Sequence, residues 1–283
     1  MFWSIVAEML SNLLSRRKKD EKKRRPRRYP SDLSKKEREV IEPLLAPTHG
    51  NQALSLLTIL DAIFYLVKTG CQWRALPHEY PSWPSVYYHF AKWSKDGTLE
   101  AINTALCKAD RRKRGRKETP TGALIDSQSV KTAKEASEVG FDGGKMINGH
   151  KRHSLTDTVG NMLNVVVTAA NVSDIVGGKL LIGKVVDTFS TIEKIWADGS
   201  YRGSMLDWVR ETLNAELEIV MREEGQKGFK VQPKRWVVER TFAWLGNYRR
   251  LSKDYERLPR NSEGMIYLAS IKTMLKRVVA TTI

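Results

Sequence analysis

A change of hydrophobic period near residue 119 constrains this chain more than any other feature. Before it, apolar residues recur every three or four positions; after it, short buried or alternating runs take turns with helical ones. With 283 residues, 41% of them hydrophobic, the chain can bury a substantial core, and its length suggests roughly two domains. The period change divides it into an all-α region, 29–107, and an α/β region, 119–283. A basic linker, 108–118, is expected between them, and a basic extension, 1–28, ahead of them.

In the first region, Ser31 or Ser34 is a candidate N-cap for an acidic, Leu-rich helix over 35–45, stopped by Pro47. Leu54, Leu57, Leu60, Phe64 and Val67 form the stripe of a second helix ending near Gly70. A loop rich in turn formers spans 77–84, and Ser85 is positioned to cap a third helix over 86–95. Helix, proline-punctuated turn and short aromatic, basic helix suggest a helix-turn-helix-like DNA-binding domain, with Tyr87, Tyr88 and Lys92 facing the nucleic acid. An ordinary helical bundle fits the same pattern.

In the second region, strands are expected at 123–127, 150–158 and 162–170, the latter two joined by the hairpin signal Val159, Gly160 and Asn161. A helix over 173–189, strand 194–197, helix 204–213, strand 217–221 and helices over 233–253 and 263–279 follow. Three antiparallel strands, then helix, strand, helix, strand and helix, is the order of an RNase H-like domain: a mixed five-stranded sheet with flanking helices.

Three carboxylates stand out on these elements. Asp126 and Asp198 each end a short apolar run, and Glu239 lies in a helical segment dense in Arg and Trp. Two Mg²⁺ ions about 3.5 to 4 Å apart need hard oxygen ligands on rigid elements, which such carboxylates supply. Taken singly, each has a duller reading as a surface ion pair, a turn residue or an i, i+4 partner of Arg235. A formal net charge of +16 makes nucleic acid the natural phosphodiester partner. Ten basic residues fall within 16–28 and seven within 108–117.

Other classes are disfavoured. Two isolated Cys and five His offer no disulfide framework and no zinc spacing, which points to a reducing cytosol. The first fourteen residues are too short, and their charge order is wrong, for a membrane span or a signal peptide. Ser127 and Tyr201 sit beside the acidic residues, but no surrounding arginine and histidine set marks them as nucleophiles. On the strand through His150 and His153, Lys151 and Arg152 are candidate DNA-backbone contacts. Asp174 reads as a helix N-terminal residue and Asp157 as a minor site candidate.

The runs Ile125-Asp126-Ser127-Gln128-Ser129, Gly149-His150-Lys151-Arg152-His153, Trp196-Ala197-Asp198-Gly199-Ser200-Tyr201-Arg202-Gly203 and Arg235-Trp236-Val237-Val238-Glu239-Arg240 closely resemble the IS5-family insertion-sequence transposases of bacteria. So does Thr69-Gly70-Cys71-Gln72-Trp73-Arg74, followed by Leu76-Pro77. The resemblance spans roughly 29–280. It implies a DDE transposase whose metal-binding triad is Asp126, Asp198 and Glu239, with Arg235 matching the arginine of the signature around the glutamate. That signature carries Tyr where this chain has Gln232 and Lys where it has Gly246. Arg249, Arg250 or Lys253 is expected to supply the missing charge. Arg202, Arg235, Arg249, Arg250 and His153 join the expected DNA-binding set.

The resemblance further implies Mg²⁺, with Mn²⁺ able to substitute. Its partners would be double-stranded DNA, both the terminal inverted repeats of the element and the target. A homodimer or higher oligomer on DNA is expected, in the bacterial cytoplasm and without a membrane. An RNase H-like nuclease without strand transfer, or a non-catalytic DNA-binding protein, are the rival expectations.

Overall fold

The computed structural model describes residues 29–45, 55–221 and 236–280. The expectations for 1–28, Pro47, Leu54, Gln232 and Arg235 fall outside them. Four α-helices open the described chain: α1 (Lys35–Ile41), α2 (Leu56–Thr69), α3 (Trp83–Lys95) and α4 (Thr98–Lys113). Local chemistry accounts for their ends. The Ser34 hydroxyl accepts from the Glu37 amide at 3.3 Å, and the Glu37 carboxylate accepts from the Ser34 amide at 2.7 Å, a reciprocal cap for α1. α2 stops at Gly70, whose φ of +72° suits glycine. An added Cβ there would also stand 3.1 Å from Arg249. α3 begins at Trp83, three residues before the sequence expectation, because Pro84 occupies the first helical turn, where its missing N–H costs nothing.

Among the described residues the sheet has six strands, not five: β1 (Gly122–Lys131), β2 (Gly140–Asp142), β3 (Ile147–Asp157), β4 (Met162–Ala169), β5 (Lys194–Ala197) and β6 (Glu216–Ile219). Their path is β2-β3-β1-β5-β6, with β4 also on β3. β2 and β4 take successive stretches of β3, 147–149 and 150–156. β1 pairs antiparallel with β3 and parallel with β5, and β5 pairs parallel with β6. Together with helices α5 (Asp174–Gly183), α6 (Ser204–Leu213), α7 (Trp236–Gly246) and α8 (Pro259–Val279), this is a mixed α/β architecture consistent with an RNase H-like fold.

α8 is the hub. It packs against α1, α2, α3, α4, α7 and β4, so the N-terminal helices and the sheet share one hydrophobic core. It also covers the outer edge of β4: the Val165 and Val167 amides donate to the Tyr267 hydroxyl at 3.4 Å and to Glu263 at 3.0 Å. Backbone donors that would invite another strand are thereby satisfied.

The basic run expected as a linker is helical through Lys113. Arg111 is buried and bonds Asp157 at 2.8 Å. The Lys113 ammonium caps the end of α8 through the carbonyls of Arg277 and Val278 at 2.8 and 2.9 Å. These charges hold the two halves of the molecule together, and Asp157 is a structural partner of Arg111.

Candidate active site

The parallel pairing of β1 with β5 sets the geometry of the two aspartates. Gly122 pairs with Lys194, Ala123 with Ile195 and Leu124 with Trp196. Carried two residues further, the same register brings Asp126 level with Asp198. Side chains two apart on a strand share a face, so both carboxylates lie on the face of Leu124 and Trp196. Asp126 is not at the end of β1 as the sequence suggests. β1 continues to Lys131 against β3, whereas its parallel partner stops at Ala197. Asp126 and Asp198 therefore stand where that parallel seam opens, and each is partly exposed.

The glutamate helix lies over the same face. Val237 and Val238 of α7 form a buried cluster with Leu124 and Trp196, and Phe242 packs against it. Glu239, in the first turn of α7, is exposed, as are Ala243 and Gly246 along the same side. A helix N-terminus favours a carboxylate by about 0.3–1 kcal/mol. Among the described residues no three His, Cys, Asp or Glu side chains converge closely enough to cage a metal. The three carboxylates thus share a face without closing into a cage. Hard oxygen donors at Asp126, on β1, and Asp198, directly after β5, suit a divalent cation.

Local bonds orient the aspartates. The Ser127 amide donates to Asp126 at 2.7 Å, and the Ser200 amide donates to Asp198 at 2.9 Å, closing a turn over Gly199–Tyr201. Ser127 points to the opposite face, where its hydroxyl donates to Asp174 at 2.7 Å. Lys151 stands 3.5 Å from Asp174 and 3.7 Å from Asp142. Burial alone would raise the Asp174 carboxyl, but Ser127, Lys151, Ser200 and Lys145 outweigh it and hold it below the ordinary range. Asp174 is the N-terminal residue of its helix, as its sequence position indicates. Its place behind the site was not legible, since only the packing of α5 on β1 and β3 brings it there.

Several expected DNA contacts are corrected. Lys151, Arg152 and His153 are buried because β3 is an interior strand covered on both faces, and Arg250, in the turn Arg249–Leu251, is buried as well. The Lys151 ammonium donates to the Val172 carbonyl at 2.9 Å, and Arg152 to the Leu251 carbonyl at 3.0 Å. His153 is pushed down to about 4 by burial, with the Lys151 and Lys145 charges adding to that and Asp174 opposing it, so it is neutral at pH 7. Arg250 pairs with Glu256 at 2.7 Å. Arg202, Arg249 and Tyr88 are exposed, Lys92 is half-buried, and Tyr87 is half-buried with its ring 5.1 Å from that of Trp73. Tyr201 is fully buried.

The sequence that builds this arrangement has counterparts among known proteins. Residues 117–272, more than half of the chain, match the family described as "Transposase DDE domain", and the chain belongs to that family. Residues 33–103 match the family described as "Putative transposase of IS4/5 family", which places the chain among the IS4/IS5-type insertion-sequence transposases. It is also 30% identical over 120 residues to a Burkholderia cepacia protein described as "Putative transposase for insertion sequence element IS402". That match covers 38% of this chain and 54% of the relative, so the chain spans about half the length of the curated relative. Among the described residues no helix is long and apolar enough to cross a membrane.

Proposed function

We propose that this transposase binds the terminal inverted repeats of an insertion sequence, cuts the DNA beside them and joins the freed 3′ ends to a target. The observation that carries the reading is the common level and face of Asp126 and Asp198 beneath the helix of Glu239. Divalent cations at these carboxylates, Mg²⁺ with Mn²⁺ as substitute, would acidify an attacking hydroxyl and offset charge on the leaving oxygen. The residues of the chain fix the geometry. Asp126 and Asp198 would hold the cations, and through them the reacting phosphate, at the open seam, with exposed Glu239 above them. Ala243 and Gly246 leave room for a duplex.

In the first step a water oxygen bonds to phosphorus and gives a proton to solvent, and the P–O3′ bond breaks, the leaving oxygen taking up a proton from solvent, to yield a 3′-hydroxyl and a 5′-phosphate. In the second, that 3′-hydroxyl attacks a target phosphodiester, and the 3′-oxygen of the target leaves. Two element ends must meet, so at least a dimer on DNA is part of the proposal. Region 29–107 is assigned to repeat recognition, with Tyr88 and Lys92 as its accessible contacts. Arg202, Arg235 and Arg249 are assigned to the DNA near the scissile bond.

The test compares wild type with Asp198→Ala on DNA carrying the element ends, with DNA binding measured in parallel. Cleavage and joining should both fall at least about a thousandfold while binding holds, since removing a metal-binding carboxylate removes several kcal/mol of transition-state stabilisation. Undiminished cleavage by the variant would remove Asp198 from the site and the carboxylate-triad reading with it.

A further inference from the structure

Two segments far apart in sequence, one of them the Gln72-Trp73-Arg74 motif, enclose a cleft of about 610 Å³ away from the carboxylates. One wall is the turn Gln72, Trp73 and Arg74 with Trp83 and Tyr87 of α3; the other is Tyr255, Glu256 and Arg257, leading into α8. Arg250 ties the walls together, donating to the Cys71 carbonyl at 3.3 Å while paired with Glu256. From its chemistry we infer that this cleft holds an unpaired nucleotide of the DNA substrate, the base between aromatic rings and the phosphate on arginine.

Four rings line the cleft, and two of them are open to solvent: Trp83 at 36% and Tyr255 at 40% exposure. Guanidinium groups already lie over both rings, Arg74 over Trp83 at 5.1 Å and Arg250 over Tyr255 at 5.2 Å. Rings flanked by cations are what base stacking with phosphate neutralisation requires. The charge balance agrees, because among the described lining residues the one carboxylate, Glu256, is buried in its pair with Arg250, while Arg74 and Arg257 are exposed. The volume falls in the range of small-molecule sites, ample for one nucleotide.

The cleft also lies within reach of the aspartates. From Asp126, β1 runs on to Lys131, and the next residue, Thr132, bridges Asp254 beside the cleft wall. Six residues of strand span about 20 Å, equal to about six base steps of a duplex. A base drawn from the stack there would anchor the DNA that the aspartates cut.

The inference rests on the proposal that DNA is the substrate, and its test needs no cleavage. Full-length protein without divalent cation is irradiated with three probes, each of about twelve nucleotides and carrying one 5-iodouracil: a single strand, a paired duplex, and a duplex with that base unpaired. Crosslinks are mapped by peptide mass spectrometry. Both unpaired probes should crosslink at Trp83 or Tyr255 peptides, the paired duplex about tenfold less. Trp83→Ala and Tyr255→Ala should each lower the yield about tenfold, with total binding within about twofold. Both side chains are exposed, so neither variant should fail to fold; circular dichroism checks this. A crosslinking single strand with a silent unpaired duplex assigns the cleft to single strands. Equal crosslinking from the paired duplex, crosslinks only elsewhere, or yields unmoved by both substitutions would overturn the inference. Asp198→Ala should crosslink like wild type, so loss of the catalytic reading and loss of the cleft are seen separately.

Discussion

At the scale of single residues, the question is which groups near the aspartates take part in chemistry. Tyr201 follows Asp198 by three positions, and its ring is fully buried. Burial pushes its phenol far up, and Asp174, Asp126 and Asp198 add to the effect, so a phenolate is not formed at any working pH. Among the described residues its hydroxyl has no hydrogen-bond partner of good geometry. Ser127, by contrast, is occupied, its hydroxyl held by Asp174. Tyr201→Phe should therefore cleave DNA within about threefold of wild type and shift stability by less than about 1 kcal/mol, since no hydrogen bond is lost. End-cleavage assays and thermal melts decide it. A loss of the size expected for Asp198→Ala would mean that the phenol acts directly and that a protein–DNA covalent step must be sought.

At the scale of elements, α5 decides how closely the layer behind the aspartates can pack. A Cβ added at Gly177 would stand 2.1 Å from the buried His153 ring, which is fixed by Thr168 at 3.1 Å. Gly177→Ala should cost about 1–3 kcal/mol through overpacking. At Gly183, at the end of the same helix, an added Cβ meets nothing within 4 Å; Gly183→Ala should be neutral or stabilise by up to about 1 kcal/mol. Urea midpoints of the two variants measure the contrast, and equal midpoints would show that α5 slides freely on the sheet.

Legibility followed the same division. Ser34, Gly70 and the strand 194–197 were readable because caps, left-handed ends and short apolar runs are local. Asp126, Asp198 and Glu239 stood out through the words around them. Charge misled where burial decided: Lys151, Arg152 and Arg111 read as surface contacts, yet each sits inside with a carboxylate or carbonyl partner. The start of α3 was missed because Pro84 looked like a loop residue. The aromatic cleft could not be read at all, since Cys71 and Arg250, which tie its walls, are 179 positions apart.

At the scale of the whole molecule, the core shared by the N-terminal helices and the sheet and a large positive charge govern stability together. Buried pairs such as Glu37 with Lys272, 2.9 Å apart, fasten α1 to α8 across that core, and His150 does the same for β3. Its Nδ1 faces Asp254 at 2.8 Å and its Nε2 the Ser137 carbonyl at 2.7 Å. Two acceptors require both ring nitrogens to carry hydrogen, the charged form. Burial alone would lower the His150 pKa, but Asp254 and the Ser137 carbonyl outweigh it and raise it. Burial likewise opposes ionised Asp254, and His150, Ser262, the Glu256 amide and Arg152 outweigh it, so that carboxyl is held low.

The signs then follow from linkage. The contribution of His150 is full below about pH 6.5, its unfolded value, and is lost as pH rises through the raised folded value. That of Asp254 is present above about pH 4 and is lost as pH falls through the lowered one. The pair should therefore stabilise most between about pH 4 and 6.5. The net charge of +16 complicates the raw curve, because raising the pH relieves self-repulsion and stabilises the fold. The diagnostic quantity is the difference in melting temperature between wild type and His150→Gln, from which that common term cancels. It should be largest near about pH 5–6 and shrink steadily toward about pH 9. A difference that stays constant or grows with pH would mean that His150 is held neutral, with one of its two acceptors left without a proton.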